Sequence, residues 1–183
     1  MKLFFTLFLF LNSCQSGSLL QPLYTKHSST LKKEVKIKNI YNSFDSVYTV
    51  KALWLNQEKI QTALKKQLQS VSSSATTNNT QLLLAKDYVI FFVSLYTSNF
   101  NYKNLRNQKV WNITLQTNNK KYSSKILASP FAQEQTHFLF PFHNSFSKGF
   151  FVKFNIHPNQ INSSSKLIFY SFLGNSTIAH LVK

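Results

Sequence analysis

The chain has 183 residues, of which 43% are hydrophobic and 15% aromatic. This apolar content excludes a disordered chain, and the length is sufficient for one domain with a substantial core. The formal net charge is +16, from 21 Lys and Arg against 5 Asp and Glu, which predicts affinity for anionic partners. Nucleic acid is disfavoured as that partner, because Arg106 is the single arginine and the chain therefore has almost none of the planar guanidinium forks that read guanine and clamp phosphate.

The N-terminal segment has the pattern of an export signal. Lys2 precedes an apolar run over 3–11 that only Thr6 interrupts, and the polar pair Asn12-Ser13 follows. This run is too short to cross about 30 Å of hydrocarbon at about 1.5 Å per residue, which disfavours a transmembrane anchor. We therefore predict a signal peptide over 1–13.

Cys14, the only cysteine, follows this signal directly. Leu11-Asn12-Ser13-Cys14 resembles the lipobox of bacterial lipoproteins, in a relaxed form with Asn12 at a position that prefers a small residue. The resemblance implies an outer-membrane lipoprotein of the cell envelope, facing the periplasm or the surface, whose acylated N-terminus is Cys14. Two acyl chains are sufficient for stable anchoring. The alternative is an ordinary secretory signal followed by an unpaired cysteine.

The next residues divide into a tether and a folded domain. Residues 14–31 are polar and serine-rich, and we expect a lipidated tether there, followed by one domain over 32–183. Alternating apolar residues predict strands near 33–40 and 46–55. The period then changes, because Ile60, Leu64, Leu68 and Val71 form one stripe of an amphipathic helix over about 57–71.

The remaining pattern is that of short strands. The most apolar segment, 87–97, predicts a central strand covered on both faces. Asn118-Asn119 joins two alternating segments, 109–117 and 120–127, as a hairpin, since asparagine tolerates positive φ.

Further strands are predicted at 137–142, 149–156, 166–173 and 177–182. Regular spacing of short strands predicts a mainly β fold, and we expect an antiparallel β-sandwich of immunoglobulin-like shape.

Groups able to perform catalysis are sparse. The densest polar segment outside the lysines contains Glu134, His137 and His143, which a hydrolase or metal-dependent enzyme of the envelope would use. The five residues between the two histidines do not match the short spacing typical of zinc sites, and no cysteine is available after Cys14. No cofactor motif is present, so the sequence favours no metal and no cofactor.

The favoured hypothesis is a non-enzymatic, lipid-anchored binding or structural module with a basic surface. Its partner would be an anionic lipid, an acidic glycan, or an envelope or host protein. The lysines predicted to contact this partner are Lys32, Lys33, Lys36, Lys38, Lys120, Lys121 and Lys125.

Overall fold

The computed structural model describes residues 21–42, 45–70, 82–84 and 86–182. The elements in chain order are α1 (Gln21–Glu34), β1 (Lys36–Asn42), β2 (Asp45–Trp54), α2 (Glu58–Ser70), β3 (Val89–Tyr96), β4 (Asn112–Thr117), β5 (Lys120–Ala128), α3 (Gln133–Leu139), β6 (Lys148–Phe154), β7 (Lys166–Tyr170) and β8 (Ser176–Ile178). Cys14 and the predicted signal peptide lie outside the described residues. Helix α1 occupies the second half of the segment for which the sequence predicted a tether.

All eight strands belong to one antiparallel sheet with the order β1-β2-β3-β6-β5-β4-β7-β8. The two end strands, β1 and β8, lie against each other and nearly close the sheet. The Tyr48 hydroxyl donates a hydrogen bond to the Gly174 carbonyl oxygen at 2.8 Å, which connects β2 to the turn between β7 and β8 across this closure.

The mainly β, antiparallel part of the sequence prediction is therefore confirmed. The sheet is barrel-like rather than a clear pair of packed sheets, and the immunoglobulin-like shape is not confirmed. The physical reason is that β5 has two partners: its first residues pair with β4 and its later ones with β6. One strand thus joins β1, β2, β3 and β6 to β4, β7 and β8 in a single sheet, whereas a sandwich consists of two separate sheets.

The interior of the sheet contains the first of two cores. Alternate residues of every long strand point inward, as expected for side chains that alternate between two faces. Tyr48 and Trp111 are fully buried there, with ring centroids 5.0 Å apart in an edge-to-face arrangement. The predicted hairpin is confirmed, with Asn118 and Asn119 at φ 49° and 60°, and it directs Trp111, Ile113 and Leu115 inward.

The second core lies on the outer side of the sheet, beneath the helices. Phe92 of β3 and Phe151 of β6 point outward and contact the helical layer. Helix α2 confirms the predicted amphipathic helix, because Ile60 and Leu64 are fully buried against this layer. Both faces of β3 are consequently buried, as its mostly apolar sequence predicted.

Helix α3 corrects the prediction of a strand at 137–142. A short apolar run does not distinguish a buried strand from a buried helix by its period. Here packing in the outer core favours the helix. Phe140, which follows the helix, stacks on Phe92 with ring centroids 3.7 Å apart and an interplanar angle of 4°. Thr136 donates its hydroxyl to the carbonyl of Ala132 at 3.0 Å, and the helix ends just before Pro141.

Candidate functional site

The outward side of the sheet has a covered part and an uncovered part. The helices lie over β2, β3 and part of β6, whereas the outward residues of β5, β4 and β7 and the end of β6 are mainly polar. We call this uncovered part the basic face, since its four charged residues are lysines: Lys121, Lys125, Lys153 and Lys166. None of them forms an ion pair with a carboxylate in the part of the chain described above.

The strand register sets the spacing of these lysines. Lys125 of β5 lies directly opposite Lys153 of β6. Gln116 of β4 pairs with Lys121 on one side and with Lys166 on the other. The backbones at Lys121 and Lys166 are therefore two strand spacings apart, or about 9.6 Å. Like charges directly opposite each other destabilise a sheet. The pairing of Lys125 with Lys153 is therefore electrostatically unfavourable without an anion.

Two aromatic side chains partly compensate the charge of the basic face. The Lys153 ammonium lies 3.5 Å from the centroid of the Tyr88 ring, and the Lys121 ammonium lies 5.9 Å from that of Tyr170. Burial raises the pKa of Tyr88, and the neighbouring Asp87 raises it further. The ring therefore remains a neutral phenol, and the lysine interacts with its π face rather than with a phenolate.

The seven lysines predicted from the sequence do not form one surface. Lys120, Lys121 and Lys125 lie on the β4–β5 hairpin, whereas Lys32 and Lys33 end α1 and Lys36 and Lys38 lie on β1. Three strands, β2, β3 and β6, separate β1 from β5 in the sheet order. The two groups therefore occupy opposite sides of the nearly closed sheet.

The basic face contains an opening between β4 and β5. Their pairing ends at Thr114 and Ser123. Further from the turn, Asn112 and Ile113 pair with β7, and residues 124–128 pair with β6. The strands diverge there and leave a cavity of about 560 Å³, which is within the usual range of ligand sites.

The opening has a polar rim and an apolar floor. Arg106, Asn112 and Lys125 are exposed at the rim, while Trp111, Ile113 and Ile126 line the floor and belong to the inner core or pack against it. The Trp111 indole N–H donates to the Tyr102 carbonyl at 3.0 Å, which fixes the ring in the floor. Both charges on the rim are positive.

The predicted histidine pair forms a separate cluster under α3. His137 and His143 have ring centroids 5.3 Å apart. Nδ1 of His143 lies 2.8 Å from the Ser94 hydroxyl oxygen, and the Lys51 ammonium donates to the Phe142 carbonyl at 3.1 Å. Burial, and then the charges of His137 and Lys51, lower the pKa of His143 from 6.5 to about 4. His143 is consequently neutral at physiological pH.

The geometry of this cluster disfavours a metal ion. Lys51 places a positive charge near the His143 imidazole, and Glu134, the third residue of the predicted site, is exposed in the first turn of α3. No group of three or more potential metal ligands occurs among the residues that the structure describes. The Ser94 side chain is 1% exposed, so a substrate in solvent does not reach its hydroxyl.

Sequence reasoning missed the partners that the fold supplies from distant segments. Lys153 and Lys166 belong to the basic face, Arg106 to the opening, and Ser94 and Lys51 to the histidine cluster. The sequence does contain a signal for Lys153 and Lys166, because each is a lysine at an outward position of a strand whose apolar residues alternate. Nothing local in the sequence identifies Ser94, which is 49 residues from His143.

Comparison with protein-family models, with curated proteins and with solved structures gives no match for this chain. Within the described ranges, no helix has the length and apolar character needed to cross a bilayer.

Proposed function

We propose that this chain is a lipid-anchored protein of the cell envelope that binds an anionic partner through its basic face. The pattern of the N-terminal signal and the lipobox-like segment ending at Cys14 support the anchor. The net charge of +16 supports an anionic partner. The partner is an anionic lipid, an acidic glycan, or an envelope or host protein with an acidic surface.

The opposition of Lys125 and Lys153 on neighbouring strands is the observation that carries this proposal. Like charges on directly opposite residues of neighbouring strands repel each other, and no described carboxylate pairs with either lysine. A bound phosphate, sulfate or carboxylate would remove the repulsion and gain charge-assisted hydrogen bonds. The pair therefore favours the anion-bound state over the free state.

Binding to immobilised heparin and to vesicles that contain phosphatidylglycerol tests the proposal. We expect retention on both supports at low salt and release as salt rises, since exposed charges are screened beyond about 8 Å at physiological ionic strength. The double variant Lys125→Gln/Lys153→Gln should elute at lower salt than the wild type. Retention that does not depend on salt would contradict an electrostatic interface.

A matched control is available on α2. Lys65 and Lys66 are exposed and lie on the solvent side of that helix. The double variant Lys65→Gln/Lys66→Gln removes the same charge from a surface outside the basic face. If it weakens binding as much as the double variant of the basic face does, net charge rather than this face is responsible.

The anchor has its own test. Metabolic labelling with a palmitate analogue should label the wild-type protein, and Cys14→Ser should abolish the label and release the protein from the membrane fraction. A wild-type protein that is exported but carries no label would favour an ordinary secretory signal.

An envelope hydrolase that uses Glu134, His137 and His143 is the second candidate. Its support is the hydrogen bond between His143 and Ser94, which resembles the base–nucleophile pair of acyl-transfer enzymes. The burial of Ser94 and the exposure of Glu134 favour a structural role for these residues. Turnover of an ester or glycoside substrate that disappears in His137→Ala or Glu134→Ala would reverse this preference.

A further inference from the structure

We propose that the opening between β4 and β5 binds an extended peptide segment in which acidic and apolar side chains alternate. The inference rests on the proposed function, because it assigns a chemical class to the anionic partner and a position on the basic face.

The unpaired strand edges that line the opening identify the partner as a polypeptide. Within the described chain, β5 from 124 to 128 has a strand partner on its β6 side alone, and Asn112 and Ile113 have one on their β7 side alone. Edges of this kind present alternating N–H and C=O groups. A strand added between β4 and β5 would satisfy them, which is the β-augmentation mode of peptide recognition. A glycan or a lipid headgroup lacks a matching row of donors and acceptors.

The rim and the floor of the opening determine which side chains this peptide would have. Successive side chains of a strand point to opposite sides. Those on the outer side would meet Arg106 and Lys125 at the rim, and those on the inner side would meet Ile126, the partly exposed residue of the floor, whereas Trp111 and Ile113 are buried there. Carboxylates therefore suit the outer positions and small apolar side chains the inner ones.

The dimensions of the opening are consistent with a short segment. The β5 residues that line it, 123–126, extend over about 13 Å at about 3.3 Å per residue. A peptide of six residues covers this length with an overhang at each end.

The Arg106 side chain at the rim is oriented by a polar neighbour, since its Nε lies 3.5 Å from the Asn104 side-chain oxygen.

Fluorescence polarisation with a labelled hexapeptide of alternating glutamate and valine tests the proposal. We expect saturable binding to the wild-type protein that weakens about tenfold in Arg106→Gln or Lys125→Gln, since each variant removes a charge-assisted contact. Lys166→Gln is the matched control: it removes one exposed lysine from the basic face but not from the opening, and should reduce affinity less.

Two modified peptides distinguish backbone hydrogen bonding as an added strand from simple charge attraction. One contains the same residues as a block of three glutamates and a block of three valines, and the other is the alternating peptide with N-methyl groups at every second amide. Both keep the net charge but lose either the alternation or the backbone donors, and both should bind at least tenfold more weakly. Equal affinity for all three peptides would overturn the inference.

The heparin and vesicle measurements distinguish failure of the peptide inference from failure of the proposed function. If the wild-type protein binds those polyanions but no peptide, the peptide inference is wrong and the anionic-partner proposal stands. If it binds neither the polyanions nor the peptide, the proposed function fails as well.

Discussion

The outward surface of the sheet differs sharply between the half beneath the helices and the half that forms the basic face. Beneath the helices, Phe92 and Phe151 point outward and are fully buried. On the basic face, the equivalent outward positions of β5 and β6 are occupied by Lys125 and Lys153. The inward residues of both halves are mostly apolar. The outward residues therefore decide whether a strand receives a helical cover or remains available to a partner.

The two halves also differ in what their outward residues contribute to stability. The covered half contains stacked aromatic rings whose removal leaves a cavity. The basic face contains exposed lysines that add little to stability and, where they oppose each other, reduce it. Substitutions on the two halves should therefore separate into effects on folding and effects on binding.

Phe92→Ala should have the largest effect on stability. Phe92 is fully buried, stacks on Phe140 and contacts Phe142, Phe151 and His143 edge-on. We expect a loss of about 3–5 kcal/mol in the free energy of unfolding, measured by urea denaturation. Ser123→Ala, an exposed position on β5, should change it by less than about 0.5 kcal/mol. Similar losses for both would contradict the distinction between the halves.

Acid should destabilise the covered half through His143. Its pKa is about 4 in the folded protein and 6.5 ordinarily, so the unfolded chain binds more protons between these values. Stability is therefore fully present above pH 6.5 and falls as the pH decreases to about 4, by about 3 kcal/mol in total.

Urea denaturation at pH 7, 5.5 and 4 checks this expectation. In His143→Asn, an amide replaces the imidazole beside Ser94, and the loss between pH 6.5 and 4 should be much smaller than in the wild type. An identical pH dependence for the two proteins would assign the effect to other groups.

Gly149→Ala should have an intermediate effect. A Cβ atom at this position of β6 would lie 2.9 Å from the Cζ of Phe92 and 3.6 Å from the Cγ2 of Thr136. The ring is held by its stack on Phe140, so relief requires a shift of the aromatic cluster. We expect a loss of about 1–3 kcal/mol in the same denaturation assay. A neutral result would show that the layer beneath α3 is loosely packed.

Lys125→Gln should have the smallest effect and the opposite sign. Removing this charge relieves its repulsion with Lys153 and leaves the contact of Lys153 with Tyr88 intact. We expect a gain of about 0.2–1 kcal/mol at low salt. Lys153→Gln should gain less, because it also loses a cation–π contact worth about 0.5–1 kcal/mol. A loss of stability in Lys125→Gln would mean that the two ammonium groups do not repel each other.

Local patterns identified most of the elements but fewer of the contacts between them. The stripe that contains Ile60 and Leu64 predicted α2, and the pair Asn118-Asn119 predicted the turn between β4 and β5. The same reasoning placed a strand where α3 lies, because Phe138, Leu139 and Phe140 are compatible with either form. For the basic face it identified Lys121 and Lys125 but neither Lys153 nor Lys166, which come from other strands.

The sequence alone determined which side chains point into the sheet, which strand is buried on both faces and how strongly positive the chain is. These properties depend on the periods of 2 and 3.6 residues and on composition, which are local. The tertiary structure alone decided that β5 pairs with both β4 and β6, that an opening forms where β4 and β5 diverge, and that Ser94 meets His143. Those outcomes depend on contacts between residues far apart in the chain, and no local pattern encodes which strand edges pair.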